Sequence, residues 1–499
     1  MLLFTQANSG VYYSSMQKHR NKRRKRIQLA FVYTLMAIAV VAIVSILILV
    51  VQGYRYNRFD GKIEQGGLVQ FDSRPSGATV TVDDVTLANK TANKVTLTSG
   101  SHTITMSRDG YSSWKKDVLV RAGSVLWLDY TLLFPNSPEI TTASRYTTVS
   151  SALASPNAKT MAVIVQAQAP EISLTTLDTD TPVTSKVSIA TENFTAPAAG
   201  ASQTFSLVSW DKDSNLLLVK HVYGDKTEYL SVDRRSSKTR NITTELGVSV
   251  EKIAYSLGDS NILYARTTSN ELRRLDLGSS TVSGPLATNV ANFTVTEDRT
   301  ITYESLPDSE GIRTVGYVTS GNTKSRTIAS FKESTTADLR ITTGEYYGEH
   351  YVVTLYGETL TIKKGNLPSS DSADALKLTE VAKLTVSGSG TYLGFSPTNR
   401  MVYVGAGTRI VTYDLELKNS ATLSLQEPLV RDVAWLDGFH IAATGQNSYY
   451  YDFDGTNGQL FASNTLNQPA VLSSNEKYIY YFAMSEETTV LRRVKLTND

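Results

Sequence analysis

The chain has 499 residues, of which 41% are hydrophobic and 19% charged, with 31 Gly and 13 Pro. This length predicts more than one folded unit, and the composition excludes a disordered or collagen-like protein. The sequence contains no cysteine, which excludes disulfide frameworks, thiolate metal sites and cysteine nucleophiles.

Positive charge is concentrated near the N-terminus. Residues 1–59 hold nine of the 49 basic residues and no acidic residue, so the remaining chain has 40 basic and 47 acidic residues and a formal net charge of −7. A protein that coats nucleic acid carries its positive charge on a folded surface. We therefore expect no nucleic-acid partner.

A run of 23 uncharged residues extends from Leu29 to Val51. At 1.5 Å per residue a helix of this length covers about 34 Å, enough to cross a hydrocarbon core of roughly 30 Å. A cleavable signal peptide has a shorter apolar region, about 7 to 15 residues, followed by an A-x-A sequence that is missing here. We predict an uncleaved transmembrane signal-anchor helix over residues 27–52, after a basic cytoplasmic arm at residues 1–26.

The charges on either side of this run predict its orientation. Seven Lys and Arg residues lie between Lys18 and Arg26, and only Arg55 and Arg58 follow closely after the run. The positive-inside rule then places the N-terminus in the cytoplasm and every later domain outside the cell membrane, with the lipid bilayer as a partner. The basic segment could instead be a nucleic-acid or nuclear-localisation patch, but its position beside the apolar run favours contact with anionic lipid.

Apolar residues alternate with polar ones after a predicted flexible linker at residues 53–67. This period of two is typical of half-buried antiparallel strands, and turn residues such as Ser99-Gly100-Ser101 and Asp109-Gly110 separate them. The predicted inward-facing residues are Val80 and Val82, Val95 and Leu97, Ile104 and Met106, Val118 and Val120, and Leu126, Leu128, Tyr130 and Leu132.

Three motifs in this segment carry a family resemblance: Pro75-Ser76-Gly77-Ala78, Leu97-Thr98-Ser99-Gly100-Ser101-His102 and Gly110-Tyr111. Together they resemble the P-x-G-A turn, the L-x-x-G-x-H turn and the later Gly-Tyr pair of the PEGA domain, over residues 68–135. The G-x-T-P turn frequent in that family is replaced by residues 89–93, Asn-Lys-Thr-Ala-Asn. The resemblance implies a non-catalytic β-sandwich at a prokaryotic cell surface, with His102 in a structural role.

The remaining chain, residues 136–499, is a repeat. Eight apolar runs recur at a mean spacing of about 45 residues, which is typical of β-propeller blades. These runs are 161–165, 216–219, 262–264, 300–303, 351–355, 401–404, 440–443 and 478–482.

Each repeat shares an internal pattern. A polar turn such as Ser396-Pro397-Thr398-Asn399-Arg400 precedes the apolar run, and an aspartate follows the next strand, as in the segment TRIVTYDLE. These features resemble WD40-like and TolB-like propellers. We predict an all-β chain apart from its transmembrane helix, with a propeller of about eight blades that N- and C-terminal strands close together; seven blades would follow if the widely spaced first unit is a linker.

The candidate site residues are few. Asp211-Lys212-Asp213-Ser214-Asn215 begins like a calcium loop, but Leu216 replaces the required Gly and Val222 the bidentate Glu. The segment 452–458, DFDGTNG, could bind a cation or could simply be a hairpin turn. The five histidines, His19, His102, His221, His350 and His440, are too far apart for an H-E-x-x-H site. We predict no catalytic, metal or cofactor-binding residue.

The 27 tyrosines could form a binding surface or could pack in strands. The clusters are Tyr346-Tyr347, Tyr449-Tyr450-Tyr451 and the segment 478–481, and rim loops at 346–349 and 364–378 are candidate contributors to a binding face.

We expect a single-pass prokaryotic envelope protein whose exported propeller binds or scaffolds envelope proteins or cell-wall polymers. The alternative is an enzyme that processes envelope glycans or peptides in the propeller channel. Several convergent carboxylates in a sugar-sized cleft would favour the enzyme, whereas a channel without them would favour binding.

Overall fold

The computed structural model describes residues 12–51, 53–57, 62–296, 299–332, 337–386, 392–426, 428–429 and 433–497. Residues 1–11 of the predicted arm and 58–61 of the predicted linker lie outside this described part. The described chain divides into two compact units. The first holds the residues up to Asp109 together with Ser113–Leu133, and the second holds Gly110–Ser112 and the residues from Phe134 onward.

Helix α1 runs from Tyr12 to Val51, so it begins within the predicted basic arm and continues through the predicted transmembrane segment. No Gly or Pro interrupts these residues, and Gly53, with a φ of 82°, ends the helix. The portion Lys25–Val51 is long and apolar enough to cross a membrane. The hydroxyls of Thr34 and Ser45 in this portion are satisfied within the helix, because they donate to the carbonyls four residues earlier.

A hairpin stands where a flexible linker was predicted. Strands β1 (Tyr54–Asn57) and β2 (Lys62–Gln65) pair antiparallel. The backbone groups of these two short extended segments satisfy one another, which an unstructured linker would leave to water.

The segment after this hairpin forms two sheets, as the sandwich prediction requires. The strands are β3 Gly67–Arg74, β4 Thr79–Val82, β5 Val85–Thr86, β6 Asn93–Leu97, β7 Gly100–Ser107, β8 Trp114–Val120 and β9 Val125–Leu132. One sheet has the order β6-β3-β9 and the other β5-β4-β7-β8.

Most of the predicted inward-facing residues are buried, from Val80 in β4 to Leu132 in β9, whereas Val95 and Leu97 in β6 are half-buried. The prediction did not include β3, although its buried Val69 and Phe71 alternate with polar residues in the segment GLVQFDSR. β3 runs parallel to β9 at the centre of its sheet.

The second unit contains eight four-stranded sheets within its described residues, which we call blades 1 to 8. The strand that precedes blade 1 is β10 Ile140–Tyr146. The strands of the next four sheets are, for blade 1, β11 Ser151–Ala154, β12 Thr160–Ile164, β13 Glu171–Thr176 and β14 Thr184–Ser188; for blade 2, β15 Gln203–Trp210, β16 Leu216–Tyr223, β17 Lys226–Asp233 and β18 Thr239–Asn241; for blade 3, β19 Val250–Tyr255, β20 Ile262–Thr267, β21 Leu272–Asp276 and β22 Thr281–Val282; and for blade 4, β23 Val290–Val295, β24 Thr300–Ser305, β25 Ile312–Thr319 and β26 Arg326–Lys332.

The last four sheets follow the same order along the chain. Their strands are, for blade 5, β27 Leu339–Tyr346, β28 Glu349–Tyr356, β29 Thr359–Lys364 and β30 Thr379–Thr385; for blade 6, β31 Tyr392–Phe395, β32 Met401–Ala406, β33 Arg409–Asp414 and β34 Asn419–Ser424; for blade 7, β35 Ala434–Trp435, β36 His440–Thr444, β37 Asn447–Asp452 and β38 Gln459–Ser463; and for blade 8, β39 Val471–Leu472, β40 Tyr478–Ser485 and β41 Thr488–Lys495. The five-residue helix α2 (Ile242–Leu246) follows β18, and a short 3-10 helix (Thr191–Asn193) lies between blades 1 and 2.

The predicted closure of the ring is confirmed. Blade 8 has the order β10-β41-β40-β39, so the first strand of the second unit completes the sheet formed by the C-terminal strands. Hydrophobic side chains of blade 8, including Tyr480 and Phe482, share a core with Met161 and Val163 of blade 1. The eight-blade prediction therefore holds, and the wide first spacing reflects the insertion that contains the 3-10 helix.

The eight predicted apolar runs correspond to the second strand of each blade. These strands are nearly continuous in burial, as in Met161 to Ile164 of β12, because neighbouring blades cover both of their faces. The first strands of successive blades contact one another, β11 with β15 and β15 with β19. The first strands therefore lie nearest the axis.

Candidate functional site

The polar residues that the sequence places before the apolar runs stabilise turns, as Asp211 and Ser396 show. Asp211 Oδ1 accepts hydrogen bonds from the backbone N–H groups of Asn215 and Leu216 at 2.7 and 2.8 Å, and its Oδ2 accepts from Ser260 Oγ of blade 3 at 2.7 Å. Ser396 Oγ accepts in the same way from Met401 N at 3.2 Å. The calcium-like sequence around Asp211 is thus explained by hairpin geometry and a bond between blades.

The aspartates after the third strands serve the same purpose at the next turn. Asp233 Oδ1 accepts from Arg235 N at 2.8 Å, and Asp414 Oδ1 accepts from Glu416 N at 2.8 Å. These are Asx turns, in which the side chain replaces a backbone acceptor.

The acidic turn at 452–458 uses its carboxylates internally. Asp452 Oδ2 accepts from Asn457 Nδ2 at 2.9 Å, and Asp454 Oδ1 accepts from Thr456 Oγ1 at 2.6 Å. Within the described residues there is no group of three or more His, Asp or Glu side chains placed to hold a metal ion. The hairpin interpretation of this turn accounts for its contacts.

His102 joins two hairpins of the first unit. Its Nδ1 lies 2.5 Å from Asp83 Oδ2 and its Nε2 lies 2.9 Å from the carbonyl oxygen of Thr98. The imidazole is therefore held from both sides, by the hairpin that carries Asp83 and by the turn that carries Thr98. Hydrogen bonds from the Thr103 backbone and from His102 hold the pKa of Asp83 below its usual range. The geometry gives His102 the structural role that the resemblance implied.

Two other histidines are fully buried in the propeller. His221 Nδ1 lies 2.9 Å from Glu228 Oε1, and the ring stacks on Phe205 at a centroid distance of 4.3 Å. His440 Nδ1 lies 2.8 Å from Asp437 Oδ2. His350 is half-buried in β28, and the structure does not describe the side chain of His19.

Glu228 accepts four hydrogen bonds although it is only 1% exposed. The donors are the backbone N–H and hydroxyl of Thr195, the amide of Asn241 and the ring of His221. Burial pushes the pKa of Glu228 up, but the hydrogen bonds outweigh it and the pKa lies below its usual value. This closed network stabilises blade 2 and leaves no acceptor for a ligand.

Most of the tyrosine clusters belong to the core. Tyr450 and Tyr480 are at most 1% exposed, whereas Tyr347 is 84% exposed. Tyr346 donates to Glu416 Oε2 at 2.9 Å and stacks edge-on against Tyr347 at 4.6 Å. The turn at 346–349 is therefore the tyrosine cluster that presents an aromatic ring to solvent.

The insertion at 364–378 is fastened to the preceding blade. The Tyr317 hydroxyl donates to the carbonyl of Pro368 at 2.7 Å, and Asp371 accepts from the backbone of Lys324 at 3.0 Å. Ser370 and Thr319 exchange hydrogen bonds through backbone and hydroxyl groups. The insertion thus straps blade 5 to blade 4.

A charged cluster that no motif indicated lies on the inner strands of blades 3, 4 and 5. Lys252 in β19 donates to Asn292 Oδ1 and to the carbonyl of Phe293, both at 2.7 Å. Glu304 in β24 is 2% exposed and accepts from the backbone N–H of Ile341 at 3.2 Å. Its second oxygen has no hydrogen-bond partner among the described residues.

The cluster has unusual electrostatics. Burial raises the pKa of Glu304, an effect that the Ile341 N–H and the Arg340 and Lys252 charges only partly oppose. Burial likewise lowers the pKa of Lys252, although the charge of Glu304 acts in the opposite direction. Perturbed groups near an axis mark a candidate site. Three separate blades supply these side chains, so no local sequence signal could have brought them together.

Comparison with known proteins gives the following. Residues 67–133 match the PEGA domain family, and no curated protein matches the chain. The β-propeller domain of Cps50 (Swd1) from Myceliophteria thermophila is 11% identical, with a TM-score of 0.39 over 71% of this chain and 99% of that one. An oligogalacturonate lyase in complex with manganese is 12% identical, with a TM-score of 0.39 over 61% of this chain and 96% of that one.

The short sandwich and the eight-bladed ring are thus distinct parts of one chain, and the family match covers the sandwich. The chain carries a PEGA domain at residues 67–133, preceded by an apolar helix and followed by a β-propeller.

Proposed function

We propose that this is a single-pass membrane-anchored envelope protein whose exported propeller is a binding or scaffolding platform for envelope proteins or cell-wall polymers. One observation carries the proposal: the 27 residues Lys25–Val51 form an apolar helix of which no side chain is buried. Lipid would cover that surface, since water would not solvate it. The basic residues before the helix favour a cytoplasmic N-terminus, and PEGA domains are extracytoplasmic.

A binding role accounts for the propeller better than a catalytic role. Asp211, Asp233 and Asp414 close turns, and Glu228 is saturated by internal donors. The inner cluster places cations, not a second carboxylate, around Glu304. Paired carboxylates, which glycan hydrolysis requires, are not found in this cluster.

Proteolysis of whole cells tests the anchoring and its orientation. A protease added to intact cells should degrade the PEGA domain and the propeller and leave only the basic arm and helix protected. Protection of the whole chain until lysis would contradict the proposal.

Crosslinking in intact cells followed by affinity purification tests the platform role. We expect recovery of a defined envelope protein complex or of wall polymer. This recovery should be lost when the propeller is removed and also when an unrelated exported domain replaces it. Equal recovery by a chain ending after the PEGA domain would show that the propeller is not the platform.

An enzyme acting on envelope glycans or peptides is the second candidate, favoured by the raised pKa of Glu304. A carboxyl group whose pKa is raised by burial is suited to general acid catalysis. Its exposure of 2% keeps it from a substrate in this conformation, which places this function second. Turnover of isolated wall polymer by the purified chain, abolished by Glu304→Gln, would establish the enzyme in place of the platform.

A further inference from the structure

A groove of about 370 Å³ lies between the closing blade and blade 1. One wall is the end of β10, with Arg145 and Tyr146; the other is the hairpin between β12 and β13, with Gln166, and the outer strands β13 and β14, with Glu171 and Lys186. This volume is within the range of small-molecule sites.

The charges of the groove favour an anion. The Lys186 ammonium and the Glu171 carboxylate lie 2.9 Å apart and neutralise one another. Arg145 is exposed, and its guanidinium makes no hydrogen bond or ion pair within the described part of the chain. Its planar set of donors matches a carboxylate.

The two walls are held together by a chain of hydroxyl groups. Tyr146 Oη lies 2.9 Å from Thr175 Oγ1, which lies 2.9 Å from Thr184 Oγ1. Thr184 Oγ1 in turn donates to Ser144 Oγ of β10 at 3.1 Å. This chain crosses from blade 8 to blade 1, so the spacing of the walls is set before any ligand arrives.

The remaining lining consists largely of short polar side chains. Ser144, Thr147 and Thr184 offer hydroxyl groups, and the exposed amide of Gln166 offers both a donor and an acceptor. A saccharide, which presents many hydroxyls and no side chains, matches such a lining. A peptide would need apolar pockets for alternate side chains.

We propose that this groove binds a saccharide whose ring carries a carboxylate, with Arg145 on the carboxylate and Gln166 and the hydroxyls on the sugar. This inference rests on the proposed platform function and names one of its ligand classes, a carboxylated sugar unit of a wall polymer.

The test is a titration of the full chain in detergent with glucuronic acid, followed by saturation-transfer NMR. Glucose, which has the same pyranose ring but a hydroxymethyl group in place of the carboxylate, is the matched ligand. We expect glucuronic acid to bind about tenfold or more tightly than glucose, since hydrogen bonds to a charged group are worth that factor.

Arg145→Ala should remove this preference, and Arg145→Lys should restore part of it. Arg409→Ala is the matched control, because Arg409 is also an exposed strand arginine, on blade 6. Arg145 has no side-chain partner among the described residues, so its removal should leave thermal unfolding unchanged and binding is read separately from folding.

Three outcomes would overturn the assignment: equal binding of the two sugars, a preference that survives Arg145→Ala, or tighter binding of hexaglutamate, which would identify an acidic peptide. Recovery of an envelope complex from cells despite any of these results would leave the platform standing and reject only the saccharide groove.

Discussion

At the residue scale, serine and aspartate side chains stabilise the turns of several blades by accepting hydrogen bonds from the backbone. Ser396 and Asp211 accept from the backbone just before the second strand, and Asp414 accepts just after the third. The same solution appears in the PEGA domain, where Thr91 Oγ1 accepts from Ala78 N at 2.9 Å. Thr91 lies in the segment that departs from the family turn, so the departure keeps a hydrogen bond there.

Among the residues of blade 2, Glu228 is the one whose substitution should lower the unfolding free energy most. Glu228→Gln replaces a carboxylate that accepts four hydrogen bonds, and we expect the propeller to lose about 2–3 kcal/mol of unfolding free energy at pH 7. Denaturant unfolding of the full chain in detergent measures this, with Glu310→Gln, an exposed acid, as the control. A loss no larger than that of the control would contradict the role of the network.

We also expect the stability difference between the original chain and Glu228→Gln to depend on pH. The pKa of Glu228 is lowered in the folded chain, so its stabilising effect is present above the unfolded value of about 4.3 and is lost as the pH falls through the folded pKa. The difference in unfolding free energy between the original chain and Glu228→Gln should therefore shrink in acid. A difference that stays constant from pH 7 to pH 3 would refute this.

The contribution of Glu304 to the unfolding free energy should depend on pH in the opposite direction. Its pKa is raised by burial, so the folded chain holds the proton more tightly and stability falls as the pH rises from about 4.3 through the folded pKa. Glu304→Gln should flatten this part of the stability profile, whereas Glu310→Gln should not. Unchanged profiles in both variants would show that Glu304 ionises in the folded chain as it does in the unfolded one.

At the element scale, closure depends on β10, which is far in sequence from β41 but pairs with it. Arg493 in β41 fastens this blade to its neighbour. Its guanidinium donates to Thr141 Oγ1 in β10 at 3.0 Å and to the carbonyl of Thr179 in blade 1 at 2.9 Å. It also lies over the Tyr478 ring at 4.1 Å.

Arg493→Ala removes these contacts together and should lower the unfolding free energy of the propeller by about 2–4 kcal/mol. The measurement is thermal or denaturant unfolding of the full chain, with Arg409→Ala as the control for loss of an exposed arginine. Equal stabilities of the two variants would mean that the closing blade does not depend on Arg493.

At the scale of the whole molecule, one apolar helix precedes two β units. The proposed anchoring makes a prediction about the helix centre. The double substitution Val41→Lys and Val44→Lys adds about 3 kcal/mol of insertion cost for each charge. Most of the chain should then leave the membrane fraction after alkaline extraction, while Val41→Leu and Val44→Leu should remain there. Retention of the lysine variant would contradict a spanning helix.

The sequence predicted the architecture because its signals are local. A continuous apolar run specifies a helix, alternation specifies half-buried strands, and the eight recurring runs mark the second strand of each blade, such as Met161–Ile164 in β12. Strand β3 also alternates, with Val69 and Phe71 buried between polar residues, but only two apolar residues mark it and the prediction did not include it.

Only the tertiary structure could decide which polar residues meet. Lys252, Glu304 and Arg340 come from three blades, and Arg145 and Gln166 line one groove because the ring closes β10 against blade 1. Spacing in the sequence says nothing about such pairs, because closure brings together residues that no local pattern relates. The sequence by itself determined the helix, the sandwich and the repeated blades; the ring decided the charged cluster and the groove.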